Sequence, residues 1–208
     1  MTKLLRSATA IAVAALAAFA PSARAAEPAY DYALVRAGTF LAQSPSLPNY
    51  DAGLDGEIAI GRAFLNFLAG ELSVGYFRAS GARTWFYPDP VSYNVVVDMT
   101  TRISVVPVTG SVKLMLPVGS IQPYLVGGAG LYFATLTLDP ADARATLSES
   151  RTTVGFHAGA GATFRLGERY FGGVDARYAF VTTSEYFHSG TGLTLDGVRV
   201  GGLFGIRF

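Results

Sequence analysis

Eight times between Tyr32 and Phe208 the chain runs through ten to sixteen residues with alternating apolar and polar side chains, then breaks at turn chemistry. Successive side chains of a strand point to opposite faces, so each stretch carries one apolar and one polar face. The stretches are 32–41, 55–64, 69–79, 103–116, 121–136, 152–166, 170–182 and 196–208. In the seventh, Val174, Ala176, Tyr178 and Phe180 share a parity and Asp175 and Arg177 take the other. In the sixth, Val154, Phe156, Ala158, Ala160, Ala162 and Phe164 oppose His157 and Arg165. Val106, Val108, Val112, Leu114 and Leu116 oppose Thr109, Ser111 and Lys113 in the fourth, and Leu72, Val74 and Tyr76 oppose Glu71 and Ser73 in the third.

Which face meets solvent depends on the solvent. Charged residues make up 15% of the chain, against about 25% in typical soluble proteins. Beyond the N-terminus no apolar run is long enough for a membrane helix, which takes about 20 residues. A closed barrel is the other structure that satisfies every backbone polar group in lipid. The apolar parity is then expected to face acyl chains and the polar parity the interior. A soluble barrel would reverse this and leave few charges outside, a poor surface for water.

The connections agree. They alternate long and short through all seven: 42–54 long, the "LNFL" turn short, 80–102 longest, "PVGS" short, 137–151 long, "GER" short and 183–195 long. Outer-membrane barrels combine short periplasmic turns with long extracellular loops. The predicted fold is an all-β, eight-stranded antiparallel up-and-down transmembrane barrel. One register change is expected: apolar parity is odd from Val95 to Val105 and even from Val106, so a bulge is predicted at Pro107. The stretch 92–101 then extends the fourth strand above the membrane.

Residues 1–25 read as a bacterial secretory signal peptide. Lys3 and Arg6 precede an apolar run over about 8–20, and Ala23-Arg24-Ala25 supplies a small-x-small cleavage site. Residues 26–208 form the barrel domain. Removing three of the 16 basic residues with the leader leaves 13 against 15 acidic ones, which offers no basic excess for nucleic acid. With no cysteine, the chain has no disulfide framework or thiolate metal site.

The polar parity gathers Arg36, Glu57, Glu71, Lys113, His157, Arg165, Asp175, Arg177, Arg199 and Arg207. An eight-stranded barrel is just wide enough for its side chains to fill, and charges enclosed there must pair. The set reads first as a salt-bridged plug, and second as a narrow pore whose six cations and three anions favour anions. Glu71 with Lys113 and Asp175 with Arg199 are the expected cross-strand pairs. Trp85, Phe86, Tyr87 and Tyr93 in the third connection read as an interfacial aromatic belt, or else as a ligand anchor. The sequence "EYFHSGTG" sets His188 beside Ser189 with Glu185 upstream. Adjacent strand residues face opposite ways, and two histidines without cysteine give no metal-ligand spacing, so no catalytic, cofactor or metal residues are assigned. The glycine clusters match no phosphate-binding loop and are expected to give room inside a tight barrel.

Three stretches, "LVRAGTF", "SIQPYLVGGAGLYF" and "VRVGGLFGIRF", resemble the small eight-stranded bacterial outer-membrane proteins of the A-, X- and W-type group. The resemblance spans essentially all of 26–208. It implies that the terminal strand, with Phe204, Ile206 and Phe208 on one face, is the signal read by the barrel-assembly machinery, with periplasmic chaperones before insertion. It also implies outer-membrane lipid as the surroundings. The peptidoglycan-binding domain of A-type proteins has no counterpart in the sequence, and the side exit of W-type channels maps onto no motif. The expected role is a monomeric structural or surface-interaction protein. A narrow channel for small or hydrophobic solutes and a lipid A-modifying enzyme are the alternatives.

Overall fold

The computed structural model describes residues 29–43, 50–87, 95–116, 118–140, 147–183 and 193–208. The predicted leader, the triplet of Glu185, His188 and Ser189, and Tyr93 lie outside them. The strands are β1 (Tyr30–Ala42), β2 (Gly53–Leu65), β3 (Leu68–Tyr87), β4 (Val95–Met115), β5 (Ile121–Pro140), β6 (Leu147–Leu166), β7 (Tyr170–Thr183), β8 (Leu193–Thr194) and β9 (Gly197–Arg207). Each pairs antiparallel with the next, β8 and β9 forming one stave interrupted at Leu195–Asp196. β9 closes on β1, giving eight staves and no free edge around the wall.

The register sets the shape. Residues directly across from one another run from Tyr32 through Gly61, Glu71, Ser111, Gly128, His157, Ala179 and Gly197, and return to β1 at Ala42, ten residues along. A stagger of ten over eight strands corresponds to a tilt of about 40°, given the usual rise and strand spacing. The last strand is tied to the first at its end: Phe208 N–H donates to Asp31 O at 2.9 Å and Asp31 N–H to Phe208 O at 3.2 Å. Both termini of the barrel thus lie at one rim, with the tight turns after β2, β4 and β6. Gly119 and Gly167 take φ of 64° and 91° in two of those turns, where a Cβ would be strained.

The alternation holds along every stave. Ile58, Leu72, Phe156 and Val174 are each more than 60% exposed, while Arg36, Glu57, Glu71, Lys113, Asp175, Arg177 and Arg199 are buried. Apolar side chains form the outer wall and charges lie within.

Three expectations are corrected. The third strand, expected to end at 79, continues to Tyr87, where it pairs with the expected upward extension of β4, which is present from Val95. Trp85, Phe86 and Tyr87 therefore lie on β3. No bulge occurs at Pro107. Pairs on both sides of it, Val74↔Val108 and Phe77↔Val105, keep one register, and Pro107↔Tyr132 pairs continuously on the other flank. The parity change has another cause, because Ile103 and Val105 point inward with Pro107, Thr109, Ser111 and Lys113. The third correction follows: the interior is not polar throughout. Phe40, Phe77, Ile103, Val105, Tyr132, Val181 and Leu195 fill it toward the long-strand end. Tyr32, Leu34, Met115, Tyr124, Val126, Phe171 and Leu203 fill it toward the turn end. The charges are a layer between two apolar ones.

Candidate functional site: a neutral ion-pair layer inside the barrel

Two glutamates on adjacent strands organise the charged layer. Glu57 on β2 binds Arg36 through Oε1, stands 3.5 Å from Arg177 Nη1, and accepts from Arg199 Nη2 at 2.9 Å. Glu71 on β3 accepts from Arg36 Nη2 at 2.6 Å and meets Lys113 Nζ at 2.5 Å and Arg177 Nη2 at 3.4 Å. Asp175 lies 2.8 Å from Arg177 Nε, and Asp55 accepts from Arg199 Nε at 2.8 Å. The cations thus come from β1, β4, β7 and β9, and the two hub carboxylates from β2 and β3. The strand pairing explains part of this, since Arg36 stands directly across from Glu57. The rest depends on long arginine side chains that reach across the lumen.

Neutral partners complete the layer. Tyr124 donates to Asp175 Oδ2 at 2.5 Å, and Tyr32 to Glu71 Oε2 at 3.3 Å. Lys113 Nζ also lies 4.9 Å from the Tyr124 ring centroid and 5.5 Å from that of Tyr32, a favourable cation–π placement. Glycines make these approaches feasible. A Cβ on Gly61 would fall 2.2 Å from the Tyr32 ring, and one on Gly161 would fall 2.4 Å from the Tyr124 hydroxyl. His157 shares a 2.9 Å hydrogen bond with Ser111.

Of the ten expected lumen residues, eight lie in or beside this layer. Arg165 has the inward parity of His157 and Thr163 but lies at the turn-end mouth, exposed. Arg207 is only partly buried and stacks over Tyr30, 4.5 Å from its ring centroid. Asp55 was not among the expected residues, because it opens its strand and its parity there has little context. With Asp55 included and the two rim arginines excluded, Arg36, Lys113, Arg177 and Arg199 balance Asp55, Glu57, Glu71 and Asp175. The cationic excess of the sequence reading disappears. The pair expected between Asp175 and Arg199 is replaced as well: the register sets Arg177 across from Arg199, and Arg199 turns to Asp55 and Glu57.

Between its arginines and carboxylates the layer holds a cavity of about 10 Å³ lined by Arg36, Asp55, Glu57, Asp175, Arg177, Arg199 and Gly201. That is room for about one water molecule. Phe204 and Ile206 lie on the outward parity of β9, with Phe204 stacked on Tyr170 at 5.9 Å, and Phe208 is exposed at the turn-end rim.

A closed antiparallel barrel with an aliphatic wall outside and a compensated charge layer inside defines a membrane-spanning β-barrel protein. The sequence matches the outer membrane protein beta-barrel domain over residues 9–208, and the chain belongs to that family. Its surroundings are therefore the lipid of a bacterial outer membrane. No curated protein sequence matches the chain significantly. Among solved structures it is similar to Neisserial surface protein A, with 15% identity and a TM-score of 0.55, covering 89% of this chain and 100% of the other. It is also similar to a major outer membrane protein from Thermus thermophilus, with 11% identity and a TM-score of 0.57, covering 88% and 100%. At these identities the likeness is one of fold.

Proposed function

We propose that this protein is a sealed, monomeric outer-membrane barrel with a structural or surface-interaction role, not an enzyme. The observation that carries the reading is the stacking inside the barrel, an ion-pair layer with a cavity of about 10 Å³ held between two apolar layers. A solute crossing the lumen would have to part Glu57 and Glu71 from four cations and displace Phe77 and Phe171. Breaking buried pairs one partner at a time costs several kcal/mol each. The barrel then serves as an anchor. β3, β4, β5 and β6, each of 20 or 21 residues, exceed the ~9–11 needed to cross the hydrocarbon, and they carry the extracellular connections away from the membrane.

Export by a leader cleaved after residue 25 and recognition of Phe204, Ile206 and Phe208 by the assembly machinery belong to the same proposal. Their support is the N-terminal pattern and the outward parity of the last strand. The reading is tested by reconstituting the purified barrel in planar lipid bilayers. A flat baseline is expected, and discrete conductance steps would contradict it in favour of a narrow channel.

A further inference from the structure

Two arginines of the ion-pair layer carry more donors than the surrounding carboxylates accept from. Among the described residues, five buried side-chain polar atoms make no hydrogen bond, and three of them are Arg36 Nε, Arg177 Nε and Arg177 Nη1. The other two, Asn66 Oδ1 and the Tyr132 hydroxyl, lie outside the layer's cavity. Both arginine side chains are almost wholly enclosed, 4% and 2% exposed. Arg36 Nε lies 3.9 Å from Asp175 Oδ2, beyond hydrogen-bond reach. Arg177 Nη1 lies 3.5 Å from Glu57 Oε1, and its Nε lies 2.8 Å from Asp175 Oδ1. These separations are short enough for attraction, yet neither N–H is aligned for a hydrogen bond. A buried donor left in this way is costly and calls for a partner.

Arg36 and Arg177 both line the cavity of about 10 Å³, together with Arg199 and the carboxylates of Asp55, Glu57 and Asp175. Three properties of that space limit what it can hold. Its size admits about one water-sized molecule. Its unmatched groups are donors, so the occupant must accept hydrogen bonds. Its lining is balanced, with three guanidinium groups against three carboxylates, so an occupant with a charge of its own would stand uncompensated in a low dielectric. A halide meets the second condition and fails the third. A metal ion or an ammonium ion fails both.

We propose that one water molecule is a built-in member of the layer. It accepts from Arg36 Nε and Arg177 Nη1 and donates to Asp55 and Asp175. It thereby links Arg36 to Asp175, which stand too far apart to bond directly. Four polar partners lie within the usual range for a buried water. The apolar layers on either side, with Phe77 in one and Phe171 in the other, close both routes to bulk solvent. Exchange then waits for a local opening of the barrel, on a timescale of microseconds or longer. The slow exchange rests on the sealed-barrel reading and the site itself does not. Conductance steps with the water in place would refute that reading alone, and a flat baseline without the water would refute this inference alone.

Crystals of the purified barrel, half of them soaked in sodium bromide, test the site. One density peak the size of a water oxygen is expected within ~3.2 Å of both Arg36 Nε and Arg177 Nη1, with no anomalous signal from bromine. Nuclear magnetic resonance of the barrel in nanodiscs is an independent readout. The Nε–H groups of Arg36 and Arg177 should show cross-peaks to a long-lived water, and the outward Arg62, 58% exposed, should show only fast exchange with solvent. Featureless density in the cavity would overturn the proposal. A bromine peak there would also overturn it, by making the occupant an anion. Fast exchange at all three arginines would refute the enclosure of the water.

Discussion

The charged layer and the apolar layer above it occupy the same lumen, yet they hold the barrel by different means. Around Phe77 and Phe40, whose rings stack at 4.4 Å, attraction is non-directional, and neighbouring residues substitute for one another in filling space. Around Glu57 and Glu71 each oxygen has an assigned donor, and the loss of one member strands the others. The apolar layer therefore contributes stability by burial. The charged layer is a cost offset by its own completeness, and it specifies which side chains can meet.

The largest expected effect is in the second region. E71A would leave Arg36, Lys113 and Arg177 without their common carboxylate, at a cost of about 4 kcal/mol, read from urea unfolding in lipid vesicles. E71A combined with K113A should cost well under the sum of the single losses, because the two residues act as a unit. Additive losses in that double-mutant cycle would erase the distinction between the layers. F77A comes next, about 3 kcal/mol for the cavity it leaves, and it should be partly recovered by F77L. Recovery of E71A by E71Q to a similar degree would argue that volume, not charge, organises the middle layer. The smallest effect is that of Y124F, about 1.5 kcal/mol for a hydrogen bond to a charged acceptor, measured in the same unfolding assay.

How much of this was legible in the sequence follows from the same physics. Parity is local, so Asp175 against Val174 and Lys113 against Leu114 could be assigned to faces without knowing any neighbour. Partnership is not local. Asp175 and Arg199 lie on adjacent staves, but a stagger of ten residues around the barrel places Arg199 beside Arg177 and within reach of Asp55 and Glu57. The apolar inner layers were hidden because Ile103 and Val105 looked like a slip of register when they were inward residues of an unbroken strand. The length of β3 was hidden because the contrast between faces fades once a strand leaves the hydrocarbon, whereas the extension of β4 was legible in the alternation from Val95. Glycine was more informative: its clusters suggested crowding, and Gly161 of one such cluster stands where the Tyr124 ring crosses, while the isolated Gly61 does the same for Tyr32 without a cluster to mark it.

All of this rests on lipid contacting one parity and the lumen holding the other. The chain has no cysteine, so single cysteines can be placed along β3 from 69 to 77 and spin-labelled in bilayers. Collision with oxygen, which concentrates in hydrocarbon, should rise at 72, 74 and 76 and fall at 71, 73 and 75. Maxima at 71 and 73, or no period of two at all, would contradict the account.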